Sequence, residues 1–202
     1  MMMYKKILIN CFTLAVLMLS GLTASFASED KALDLINVLS KDTLAVIADD
    51  KISADIKEQK LVKLFEESVD TKWIAKFVLG KYWSDVPQEK QNIYTALYHK
   101  FLLQSYVPKF KSYTDQKIEI LDSSKEYENE YLVRTEIKSA SDPVLAVNYK
   151  VRLNQDGSYK IFDIVAEGVS MITTQRSEFS SILSRQGVDH LIEQLEKRTS
   201  AK

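Results

Sequence analysis

The spacing of apolar residues changes twice along this chain, from every three or four positions to every second position after Thr114, and back again past residue 168. Helices bury a stripe at the first spacing and strands bury one face at the second, so blocks of one period followed by blocks of the other specify helices segregated from a sheet. From Lys31 to Asp49, Leu33, Leu35, Ile36, Leu39, Leu44, Val46 and Ile47 share one half of a helical wheel, opposite Asp34, Asn37, Lys41 and Asp42. A second helix is expected from Ser53 to Val69 with Leu61, Val62, Phe65 and Val69 inward, and a third from Thr71 to Leu79 with Trp73, Ile74, Phe77 and Val78 inward, stopped by Gly80. The run Ser84-Asp85-Val86-Pro87-Gln88-Glu89 carries proline and acids where a first turn accepts them. The helix it opens is expected to bury Ile93, Tyr94, Leu97, Tyr98 and Phe101 and to end at Val107, before Pro108.

The alternating block predicts four strands. Ile118 and Ile120 alternate with Lys117 and Glu119; Tyr131, Val133, Thr135 and Ile137 with Leu132, Arg134, Glu136 and Lys138; Leu145, Val147, Tyr149, Val151 and Leu153 with Asn148, Lys150 and Arg152. Asp156-Gly157 is a hairpin signal leading into the fourth, Tyr159 to Ala166, so the sheet reads as an antiparallel meander. Two helices close the chain, Val169 to about Ser184 and Val188 to Lys197, parted by Gly187. The expected fold is α+β: amphipathic helices packed on one face of a twisted antiparallel sheet of about four strands, enclosing an apolar cavity.

Residues 1–27 read as a cleavable secretory signal, with Lys5 and Lys6 ahead of the apolar run Ile7 to Leu19 and a small-x-small site at Ser25-Phe26-Ala27. Residues 28–202 then form one domain. The single cysteine, Cys11, lies in the signal, so the mature chain has no thiol for disulfides, catalysis or metal ligation. Removing the two signal lysines leaves 25 basic against 28 acidic residues. That balance offers no concentrated basic surface for nucleic acid.

Groups able to carry chemistry are sparse. His99 and His190 read as surface histidines, with neither a carboxylate nor another histidine at ligand spacing, so no metal site is expected. Ser177, Ser180 and Ser181 lack a nucleophile motif, and the lone glycine of Phe77-Val78-Leu79-Gly80-Lys81 cannot cradle phosphate. Asp163, set among Ile161, Phe162, Ile164 and Val165, is expected to bond backbone or an arginine near the following turn; a catalytic base is the alternative. The ten tyrosines, eight phenylalanines and two tryptophans of the chain either fill a core or wall an apolar pocket.

Three blocks resemble the MlaC-type family, also known as toluene-tolerance proteins: Phe77-Val78-Leu79-Gly80-Lys81-Tyr82-Trp83; the helix from Pro87-Gln88-Glu89 to Leu102-Leu103-Gln104-Ser105-Tyr106; and Asp156 to Met171, with its Glu167-Gly168-Val169-Ser170. Gln175-Arg176-Ser177-Glu178-Phe179 fits as well. Tyr159 stands where the family often has Trp, and Ala166 where a larger aliphatic is common. The resemblance implies a periplasmic phospholipid carrier with no enzyme activity, metal or cofactor. It also implies a shuttle between an outer-membrane lipoprotein complex and an inner-membrane ABC transporter complex with its substrate-binding subunit, maintaining outer-membrane lipid asymmetry. A carrier of an isoprenoid or fatty acid, or a small cone-fold hydrolase or isomerase with Asp163 as base, are the alternatives. Candidate lipid-contacting residues are Phe77, Phe101, Leu102, Tyr106, Val133, Leu145, Val147, Tyr149, Ile164 and Val169. Exposed Lys72, Lys76 and Lys81, with Arg134, Lys138, Lys150 and Arg152 on the wet strand face, are the candidate docking charges.

Overall fold

A computed structural model describes residues 29–111, 116–139 and 143–200, so the expected signal lies outside the described residues. Helix α1 (29–48) is followed by α2 (Ala54–Ser68), α3 (Thr71–Leu79), a 3-10 segment (Gly80–Asp85) and α4 (Gln88–Lys111). Strands β1 (Lys117–Tyr127), β2 (Glu130–Lys138), β3 (Leu145–Leu153), β4 (Tyr159–Ala166) and β5 (Val169–Ser170) precede α5 (Met171–Ser200). No helix among the described residues is long and apolar enough to cross a membrane.

The sheet is an antiparallel meander in sequence order, and β2 shows why it has a dry face: Tyr131, Val133, Thr135 and Ile137 are buried while their neighbours are half-exposed. Ala32 and Ile36 of α1 cover this face, packing with Tyr131, Val133, Val151 and Ile161. On the other face Arg134 pairs with Asp122 at 2.6 Å, Lys138 with Glu119 at 2.5 Å and Arg152 with Glu130 at 2.7 Å.

A second core is helical. Tyr94, Tyr98 and Leu102 form the buried stripe of α4 and meet Phe179, Leu183 and Leu191 of α5 and Ile74 and Val78 of α3. Tyr94 and Tyr98 are fully covered as expected, while Ile93, expected inward beside them, is 41% exposed. The helix also continues through Pro108 to Lys111. The proline ring removes one ladder bond, to the carbonyl of Gln104, but so close to the helix end that the chain keeps its winding for one more turn.

The seam between helices and sheet is a backbone contact. Val69, just past α2, bridges to Ile161 of β4 in parallel, and the Asp70 N–H donates to the Ile161 carbonyl at 2.9 Å. The Asp70 carboxylate then accepts from the Trp73 N–H at 3.1 Å, starting α3, and from Asn154 Nδ2 at 3.3 Å. A register irregularity between Lys150 and Val151 leaves an extra residue in β4, and Ile161, Phe162 and Asp163 are all buried in succession.

The sheet has a fifth strand where a helix start was expected. Glu167 and Gly168 both take positive φ, 50° and 78°, the two-residue geometry that folds a strand back on itself. Val169 and Ser170 therefore pair with Ala166 and Val165, and α5 begins at Met171. Gly187 breaks α5 with φ 77° and ψ −179°, a region essentially reserved for glycine. A β-carbon there would meet nothing within 4 Å, so Gly187→Ala isolates backbone strain from packing. We expect it to cost about 1–3 kcal/mol, read as a lower denaturant midpoint with an unchanged slope.

Candidate functional site

Two narrow apolar voids lie between the helices and the sheet. The first, about 40 Å³, is lined by Ile74, Tyr98, Leu102, Tyr106 and Ile172 of the helical core and by Ile161 and Ile164 of β4. The second, about 50 Å³, lies under α1 against Ile36, Leu39, Thr43, Leu61 and Tyr149. Phe65, Val69, Ile161 and Ile164 line both, so these four side chains form a shared wall. The seam thus places the wall, since Val69 and Ile161 are the bridged pair. A water needs roughly 10–15 Å³ on this kind of measure, so each void has room for a few waters and not for an acyl chain. Aromatic rings account for the filling: Phe65 of α2 stacks on Tyr106 of α4 with centroids 6.4 Å apart, beside the first void.

Of the residues expected to contact lipid, Leu102, Tyr106, Tyr149 and Ile164 border the voids. Val133 and Val147 are buried beneath them in the sheet, and the Val147 carbonyl accepts a bond from the Thr135 hydroxyl. Phe101 faces an outer groove between α2, α4 and Arg198. Phe77 lies on the outer side of α3, stacked on Trp73. Leu145 and Val169 are 38% and 51% exposed, because β3 and β5 reach past the cover of the helices there. The wall residues Phe65, Val69 and Ile161 are not among the expected lipid contacts, and Phe65 and Val69 carry only the signal of inward positions on the second helix.

The geometry defines an α+β domain whose helices and sheet meet across an apolar, divided interior. The family model described as "MlaC protein" matches residues 37–197, and the chain belongs to that family. Among curated proteins it is similar to the "Intermembrane phospholipid transport system binding protein MlaC" of Haemophilus influenzae, 27% identical over 135 residues, which is 65% of this chain. The match spans 63% of the length of that relative. Among solved structures it shares the fold of the phospholipid-binding protein from Ralstonia solanacearum, solved in complex with a phospholipid, with a TM-score of 0.72 and 22% identity over 84% of this chain and 97% of the other.

Polar groups at the first void are tied to structure. Asp163, 3% exposed, accepts from the Ser170 hydroxyl at 2.7 Å and from the Ile172 N–H at 3.2 Å, so its carboxylate fastens the first turn of α5 to β4. That is the backbone role expected for it, without an arginine. The histidines differ from expectation. His99 has Glu66 Oε1 at 2.9 Å from Nε2 and Thr71 Oγ1 at 3.2 Å from Nδ1, tying α4 to the α2–α3 corner, and His190 lies 3.7 Å from Glu193. Among the described residues no group of three His, Cys, Asp or Glu side chains is placed to hold a metal ion.

Tyr94 donates to the Ala75 carbonyl at 3.0 Å and Tyr98 donates to the Gln175 side chain. Burial raises the pKa of both phenols, helped by Tyr98 beside Tyr94 and by Tyr106 beside Tyr98; burial and then the Asp163 charge raise that of Tyr106. The unfolded chain releases these protons near pH 10 while the folded chain holds them. Their contribution is therefore complete below about pH 10 and declines above it, by up to about 1.4 kcal/mol per pH unit for each phenol until its folded pKa is reached. Denaturant midpoints measured upward from pH 9 should fall past pH 10, and less steeply in Tyr94→Phe.

Proposed function

We propose that this protein is a periplasmic phospholipid-binding carrier that moves lipid between an outer-membrane lipoprotein complex and an inner-membrane ABC transporter complex with its substrate-binding subunit. The observation that carries the reading is the divided apolar interior between helices and sheet in a chain of the MlaC family. A phospholipid with about thirty methylenes, each favoured over water by roughly 0.8 kcal/mol, does not cross an aqueous compartment unaided. A protein interior can replace the bilayer if its apolar layers part around the tails. The voids as they stand are too small, so loading requires α1 and the helical core to move off the sheet, with Phe65, Val69, Ile161 and Ile164 as the surfaces the chains would slide between. The same reading makes the protein a non-enzyme, supported by the commitment of both Asp163 oxygens to Ser170 and Ile172.

Organic extraction and mass spectrometry of exported protein should yield diacyl phospholipid at about one per chain, on a mature chain beginning at Ser28. An isoprenoid or fatty acid in its place would select the other apolar cargo, and no extractable lipid would end the proposal. Ile164 borders both voids, so Ile164→Trp should occupy the path of the tails and lower lipid content several-fold. Val147 borders neither. Val147→Trp should therefore act as overpacking of an ordinary core, costing about 1–3 kcal/mol. Lipid content unchanged in Ile164→Trp would place the tails elsewhere.

A further inference from the structure

The cations on the two sides of this molecule are not equivalent. Arg134 and Lys138 on the wet sheet face are each paired with a carboxylate, at 2.6 and 2.5 Å. Arg152, expected on that wet face, is instead largely buried against Trp73 and Phe162 and paired with Glu130 at 2.7 Å. Lys72, Lys76 and Lys81, on α3 and the 3-10 segment after it, and Arg176 on α5, have no carboxylate within ion-pair distance among the described residues. All four are exposed.

These cations surround a stacked row of rings. The Arg152 guanidinium lies 3.8 Å from the Trp73 centroid, Trp73 stacks on Phe77 at 5.1 Å and 19°, and the Arg176 guanidinium caps Phe77 at 4.7 Å. Lys76 approaches the Trp83 ring at 6.0 Å and Lys81 the Tyr82 ring at 5.2 Å. Guanidinium–ring contacts hold a long side chain in place without consuming its hydrogen bonds, so Arg176 is held on Phe77 with no hydrogen bond spent among the described residues. Of the acids on neighbouring elements, Glu130 is engaged by Arg152, Asp70 by the α3 cap, Glu66 by His99 and Glu178 by Arg198, while Asp85 stands exposed at the end of the 3-10 segment.

We propose that this face of α3, with Arg176 beside it, is a docking site for an acidic segment of a partner protein. A membrane is the less suitable occupant. Outside these four cations the exported chain has 21 basic against 28 acidic residues, so an extended anionic surface that attracts this patch also meets that acidic excess. A short acidic segment meets the patch alone, and its apolar side chains find half-buried Trp73, Phe77, Tyr82 and Trp83 between the cations. The site lies on the outer side of α3 and includes none of the residues bordering the two voids. It goes beyond the carrier reading and stands independently of the cargo.

The test uses the exported protein and a fluorescent synthetic peptide of alternating Glu and Leu, with a Lys and Leu peptide and vesicles of phosphatidylcholine with phosphatidylglycerol as controls. The acidic peptide should bind, weaken with added salt, and bind about tenfold more weakly to the combined variant Lys72→Gln, Lys76→Gln, Lys81→Gln, Arg176→Gln. The variant Arg134→Gln, Lys138→Gln on the sheet face should bind like the natural chain. Should the combined variant lose its folded circular dichroism, the three lysine changes alone provide the same comparison, since those side chains are exposed. Equal peptide binding by natural and variant chains, binding insensitive to salt, or vesicle binding that needs these cations while the peptide does not bind, would each overturn the proposal. Lipid extracted from the same samples separates the two readings: peptide binding without lipid removes the carrier proposal and leaves this one.

Discussion

The contact on which the rest of the structure depends is the seam at Val69, Asp70 and Ile161. One bridge and one backbone hydrogen bond of 2.9 Å join the helical layer to β4 at the corner between α2 and α3. Backbone pairing is sensitive to register, so this corner fixes how α2 and α3 sit over the sheet in a way that side-chain packing alone does not. Asp70 extends the constraint in both directions, capping α3 and holding Asn154 in the β3–β4 turn. Residues on either side of the interior are consequently placed by one short segment.

The irregularity in β4 gives this strand two partners. Ile161 and Ile164 border the voids, while Phe162 packs edge-on against Trp73 at 5.3 Å and Asp163 anchors the start of α5. A regular strand would send alternate residues to solvent; here three consecutive positions are buried at the register irregularity opposite Lys150 and Val151. The outward row of rings follows from the same arrangement. Phe162 and Trp73 flank the Arg152 guanidinium, at 4.4 and 3.8 Å, and α3 carries the stack outward to Phe77 and Arg176. Interior and outer surface are therefore coupled through a single helix.

Element type was legible from short-range pattern. The inward residues of β2 and β3, the stop of α3 at Gly80 and the break at Gly187 are each set by residues within a few positions of one another. Less legible were features where neighbours compete. Tyr94 and Tyr98 are inward as their spacing predicts, but Ile93 is as apolar as they are, and only the approach of α3 and α5 decides that it is left outside. The Glu167-Gly168 turn was visible as a motif, yet its consequence, a fifth strand, required the edge of β4 to be free for pairing. His99 gave no sign of its pairing with Glu66, which lies 33 positions away on another helix.

The sequence by itself determined an α+β chain with one helical layer and one meander, because periodicity and turn chemistry are properties of adjacent residues. It also determined which cations are present. The tertiary structure decided which are already paired, since Arg134 reaches Asp122 of the next strand while Lys76 and Arg176 lie against rings and make no ion pair among the described residues. It likewise decided that Leu102, Tyr106, Tyr149 and Ile164 meet around two voids while Leu145 and Val169 stand outside. The physical reason is common to both: whether an apolar or charged side chain is satisfied depends on what is packed against it from elsewhere in the chain, and that distance is set by the seam and the sheet register rather than by position in sequence.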